Sequence, residues 1–103
     1  MIRHCVFYRF RNGVSADERA EIHAGLAALV GQIDGLLRCD FGPNVSPEGL
    51  AQGFNHGFVM DFVDAAARDA YLPHPTHKAA GGKLVAALEG GRDGLIVFDI
   101  EIG

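Results

Sequence analysis

The chain has 103 residues, 49% of them hydrophobic and 21% charged, and its nine basic and thirteen acidic side chains give a formal charge of −4. That balance reads as a globular, not a disordered, chain and argues against nucleic acid as a partner, because phosphate binding wants a basic face. No apolar run approaches the ~20 residues of a membrane span, and the length fits one domain, residues 1–103. Cys5 and Cys39 are too few for a disulfide scaffold and read as buried small apolar residues in a reducing, cytoplasmic setting. The chain opens on an alternating pattern, not on a basic region followed by an apolar block, so no secretory leader is expected.

Met1 to Phe10 predicts a strand with His4, Val6 and Tyr8 on one face and Arg3, Cys5, Phe7 and Arg9 on the other. Arg11-Asn12-Gly13 breaks it. Ser15 with Glu18 three residues on forms a capping box. The helix that follows carries Ile22, Leu26, Leu29 and Ile33 at helical spacing and should end near Asp34-Gly35. Asp17, Glu18, Arg19 and Glu21 read as its solvated face, and His23, at the edge of the apolar stripe, as a rim residue. A second strand, Leu36 to Phe41, should stop at Gly42-Pro43-Asn44, with a loop over Val45 to Gly53. The third strand, Asn55 to Phe62, places His56, Phe58, Met60 and Phe62 on one face. Asp64 caps a short alanine-rich helix ending at about Tyr71. Pro73 and Pro75 interrupt it, Thr76 is the expected cap of a continuation from His77 to Leu88, and Gly90-Gly91 ends that piece. Gly94 to Ile102 is the last strand.

Strand, helix, strand, strand, helix, strand is the α+β, ferredoxin-like βαββαβ arrangement: a four-stranded antiparallel sheet in spatial order 4-1-3-2, with the helices on one face. Cys5 and Cys39 then lie two strand spacings apart, roughly 10 Å, too far for a bridge. Cys5, Phe7 and Val59 point away from the helices, and Leu95, Ile96, Val97, Phe98 and Ile100 make the last strand apolar on both sides. A sheet apolar on both faces needs cover on both. A second copy packed sheet to sheet, a symmetric homodimer, is the simplest cover.

Residues 70–77 read AYLPHPTH, and the two prolines there forbid a regular helix. His77 falls in the first turn of the next helix, where the dipole and burial both disfavour an imidazolium. A neutral imidazole is what a general base needs, and Tyr71 across the break can donate a hydrogen bond to a developing enolate oxygen. His74, between the prolines, reads as a turn histidine. His74 and His77 have a spacing metals can use, but no cysteine or acidic cluster joins them, so no metal site is expected. His4 and His56 face the helices near opposite ends of antiparallel strands, roughly 15 Å apart at ~3.3 Å per residue. They mark the two ends of one elongated cavity. Gly81 and Gly82 lack the context of a phosphate loop and either permit close packing or leave room for a ligand.

The segments IRHCVFYRF, GPNVSPEG, FNHGFVMDF and YLPHPTHKAAGG together resemble the stress-responsive A/B barrel (Dabb) family of the dimeric α+β barrel superfamily. The resemblance implies a ferredoxin-like half-barrel that dimerises through its sheet. It also implies uneven function: stress-associated plant proteins of unclear activity, and a branch of cofactor-independent polyketide cyclases that close a ring by aldol condensation. The functional His and Tyr of that branch match His77 and Tyr71, its strand histidines match His4 and His56, and Phe58, Val6 and Tyr8 join these as expected substrate contacts. The cyclase helix carries cavity-lining aromatics where this chain has Ile22, His23 and Leu26, so only the proton-transfer pair carries over. The expectation is a cofactor-free lyase or cyclase acting on a small, apolar, carbonyl-bearing molecule. The alternatives are a non-catalytic stress-associated binder and, last, a cofactor-independent monooxygenase of the same superfold, because fold alone does not give function.

Overall fold

A computed structural model describes all 103 residues. The elements are β1 (Ile2–Tyr8), α1 (Ala16–Ala27), β2 (Leu36–Pro43), β3 (His56–Phe62), α2 (Ala65–Tyr71), α3 (Pro75–Ala86), a 3-10 turn (Gly91–Gly94) and β4 (Leu95–Glu101). The strands form one antiparallel sheet in the order β2-β3-β1-β4, the ferredoxin-like order read from the sequence. In its register His4 stands opposite Met60 on one side and Asp99 on the other, and Tyr8 opposite His56 and Leu95.

Local chemistry sets most boundaries. Ser15 Oγ accepts the Glu18 N–H at 3.1 Å, and Asp64 Oδ1 accepts the Ala67 N–H at 2.8 Å, so α1 and α2 begin where expected. Four boundaries differ from the sequence reading. α1 stops at Ala27, and the buried Leu29 and Ile33 occupy turns beyond it, because Gly31 and Gly35 take φ of +91° and +81°. β2 runs through Gly42 to Pro43; it is an edge strand, where proline is tolerated. α3 ends at Ala86 rather than Leu88, followed by Gly90 at φ +72°. The cap of α3 is His74, not Thr76: His74 Nδ1 accepts the Thr76 N–H at 3.2 Å, and Pro75 fills the first helical position, where no N–H is needed.

The core lies between the helices and the sheet, with Tyr8, Tyr71, Phe62, Leu26, Leu29 and Met60 fully buried. The opposite sheet face is uncovered. Phe98 is 57% exposed there, alongside Phe7, Ile96 and Ile100. Its far end is charged: Arg3 holds the buried Asp61 at 2.9 Å, and this bond keeps the carboxyl below the usual carboxylate range against the effect of burial. Cys5 is buried on this face, whereas Cys39 is only half-buried and packs on the helix side beside Met60; both are free thiols.

Gly35 combines positive φ with a close approach: an added Cβ would lie 2.5 Å from Ala67 Cβ, whereas Gly13, at φ +90°, has nothing within 4 Å. Gly35→Ala should therefore cost about 2–4 kcal/mol, backbone strain plus overpacking, and Gly13→Ala only the strain of about 1–2 kcal/mol. Urea unfolding of the two variants checks the difference; equal losses would contradict it.

Candidate functional site

A cavity of about 950 Å³ lies between α3 and the helix-facing side of the sheet. His4 and Val6 of β1 and Phe58 of β3 line it from the sheet; Tyr71, His77 and Leu84 line it from the helices. Gly81 and Gly82 open its wall. Nothing lies within 4 Å of a Cβ added at Gly82, and one added at Gly81 would sit 3.6 Å from His77 Nε2. These two glycines leave room in the cavity.

The proline corner brings Tyr71 and His77 together. Tyr71 is the last residue of α2, and its carbonyl accepts the His74 N–H at 3.0 Å. His77 stands in the first turn of α3, and its Nδ1–H donates to the Leu72 carbonyl at 2.9 Å. The ring centroids of Tyr71 and His77 are 4.0 Å apart, inclined by 33°. A carbonyl can only accept, so Nδ1 carries the proton and Nε2 of the neutral ring keeps its lone pair. Burial lowers the His77 pKa from its ordinary value; the Leu72 bond works the other way, and His4, His74 and Lys78 add to the lowering. Burial pushes the Tyr71 phenol up, so it stays protonated. The site thus pairs a proton donor with a proton acceptor in a largely apolar setting.

His4, 4% exposed, faces the same cavity, with its ring 5.9 Å from that of Tyr71. Its Nδ1 lies 2.7 Å from Asp99 Oδ1, and Asp99 Oδ2 accepts from Arg68 Nη1 at 2.8 Å. Burial would raise the Asp99 carboxyl, but the hydrogen bonds from Arg68 and His4 outweigh it and hold it low. Sequence reading missed both Asp99 and Arg68. The available signal was Asp99 itself, an acid interrupting the apolar run of β4.

The structure places two expected contacts elsewhere. Tyr8 and His56 do not line this cavity; they sit four strand positions from His4 and Met60, roughly 13 Å away at ~3.3 Å per residue. There the Tyr8 hydroxyl and His23 Nε2 form a 2.6 Å hydrogen bond, the Tyr8 and His56 rings stack, and Phe10 packs edge-on against both imidazoles. The expected single elongated cavity is thus interrupted by packed rings, and His56 lines a separate cavity of about 480 Å³ with Phe41, Phe54 and Phe58. His23 is not a rim residue: it is 6% exposed, and its ring also stacks on Phe41 at 4.4 Å. His74 serves as a helix cap. No three His, Cys, Asp or Glu side chains converge as metal ligands.

The family model described as "Stress responsive A/B Barrel Domain" matches residues 2–102. The chain belongs to this family. The stress-response A/B barrel domain-containing protein HS1 of Arabidopsis thaliana is 34% identical over 76 residues, which cover 74% of this chain and 70% of that protein. Among solved structures, a dimeric ferredoxin-like protein of unknown function from Jannaschia sp. CCS1 superposes with a TM-score of 0.90 at 38% identity, covering 98% of each chain. The hydroxynitrile lyase of Passiflora edulis superposes at 0.87 with 22% identity over 99% of this chain and 93% of its own, a likeness of fold alone. No helix of this Dabb protein is long and apolar enough to cross a membrane.

Three imidazoles, His23, His56 and His77, are lowered from 6.5, each first by burial. Below 6.5 the unfolded chain therefore binds protons that the folded chain does not, and stability falls as pH drops toward the lowered values. Melting temperature should be lower at about pH 5.5 than at about 7.5, and His23→Gln should shrink the drop. A flat profile across that window would contradict the burial of these rings.

Proposed function

We propose that this protein is a homodimeric, cofactor-free lyase or cyclase that removes a proton beside a carbonyl of a small apolar molecule, with His77 as base and Tyr71 as hydrogen-bond donor. One observation carries the reading: a protonated phenol and an unprotonated imidazole nitrogen share one cavity wall, with their rings 4.0 Å apart. His77 Nε2 takes the proton from carbon, and the electron pair moves into the carbonyl. The Tyr71 hydroxyl donates to the enolate oxygen so formed. The enolate carbon then attacks a second carbonyl, whose oxygen takes the proton back from His77 Nε2; in the reverse sense His77 removes the hydroxyl proton, the carbon–carbon bond breaks, and the enolate carbon takes that proton. Val6, Phe58 and Leu84 supply an apolar wall that keeps water from competing. Two free thiols fit a cytoplasmic setting.

The name of the plant relative describes a stress response and no reaction. That favours a second reading, a non-catalytic binder that uses the same cavity. His77→Ala separates the two. Under the enzyme reading it lowers turnover by roughly 10²–10⁴-fold while ligand affinity changes little. Undiminished turnover in that variant would remove His77 as base, and tight binding without turnover in the wild type would leave the binder.

The exposed apolar face of β1 and β4 supports a homodimer, as does the dimeric Jannaschia relative. Light scattering should give twice the 11.0 kDa of one chain, and Phe98→Asp should give the monomer. An 11.0 kDa wild type would contradict the dimer.

A further inference from the structure

His4 and His77 face one cavity but are backed differently. A neutral backbone carbonyl holds His77 Nδ1. A carboxylate holds His4 Nδ1, at 2.7 Å, and Arg68 holds that carboxylate from behind, at 2.8 Å. An ionised carboxylate accepts only, so His4 Nδ1 carries the proton and Nε2 is the nitrogen left free. We infer that His4 is a second proton carrier of this site, with Asp99 and Arg68 as its positioning residues. The inference rests on the proton chemistry proposed above.

The fold sets this arrangement. His4 and Asp99 stand directly opposite each other on neighbouring strands with both side chains on the helix side, so the register itself makes the pair. Arg68 and Tyr71 are three residues apart on α2 and therefore share a helix face, which ties the relay to the phenol. Phe58 and Phe62 pack against the His4 ring at 6.3 and 6.0 Å and restrict its rotation. A proton that leaves an O–H or C–H of the ligand forms the Nε2–H bond, and its former bonding pair stays on the ligand as alkoxide or enolate. The imidazolium keeps its Nδ1–H on Asp99, which takes no proton but offsets the new charge. Returning that proton to oxygen or carbon of the product restores the neutral ring. His77 has no counter-charge of this kind at its Nδ1, so the two histidines are not equivalent.

The test uses histidine-¹⁵N-labelled protein and two-bond ¹H–¹⁵N spectra in mildly alkaline buffer. Wild-type His4 should show the Nδ1–H tautomer; the Nε2–H tautomer would overturn the inference without any variant. In Asp99→Asn the new amide can donate to Nδ1, and the tautomer should invert. Phenol and anisole then probe the cavity side by NMR titration. Wild type should prefer phenol by about five- to tenfold, the worth of one hydrogen bond to an imidazole acceptor. Asp99→Asn should lose most of that preference, and Arg68→Gln part of it. A ratio unchanged in both variants would mean that Asp99 merely braces the sheet, and the inference falls. If neither probe binds, the His4 tautomer alone decides this assignment.

Discussion

The central strand β1 is hydrogen-bonded on both sides, to β3 and β4, and its register decides which side chains meet the helices. Because side chains alternate, a slip of one residue would turn His4, Val6 and Tyr8 outward and bring Arg3, Cys5 and Phe7 into the core. Arg3 inside would face burial without Asp61 beside it, so the alternation holds the register firmly. The pairing of His4 with Asp99, the sheet wall of the cavity and the apolar outer face all follow from it. One strand therefore supplies both the sheet wall of the cavity and part of the apolar face left exposed.

The proline corner is the second constraint. Two short helices separated by Pro73 and Pro75 do what one continuous helix cannot. In a regular helix Tyr71 and His77 would stand about one and two-thirds turns apart and point to different sides. Here the His74-to-Tyr71 backbone bond and the His77-to-Leu72 bond fold the corner back, so the rings meet on one wall. The Leu72 bond also fixes the tautomer. A single contact thus both places the imidazole and chooses which nitrogen can accept a proton.

Much of this was legible in the sequence. Strand alternation and the Ser15 and Asp64 caps are local properties, and they gave element order, sheet order and the uncovered face. Tyr71 and His77 could be picked out because proline spacing is also local. What the sequence did not show depends on long-range packing. His23 lies at the edge of a helical stripe, and only the hydroxyl of Tyr8, reaching across from β1, makes its burial acceptable. The Asp99 and Arg68 relay joins residues separated by 95 and 31 positions, visible only once β4 is set beside β1. Rings packed around Tyr8 divide what strand geometry alone had left as one long cavity, and leave His56 on a separate one. The end of α1 was misread for a simpler reason: Leu29 and Ile33 keep helical spacing while the backbone has already turned at Gly31.

The proposed chemistry depends most on a neutral His77 beside a protonated Tyr71. An NMR titration of the His77 ring protons measures this without a substrate. The burial of the ring predicts a midpoint below its ordinary value of 6.5 and an Nδ1–H tautomer above it. A midpoint well above neutral pH, or an Nε2–H tautomer, would mean that the nitrogen facing the cavity cannot accept a proton at neutral pH, and would contradict the assignment of His77 as base.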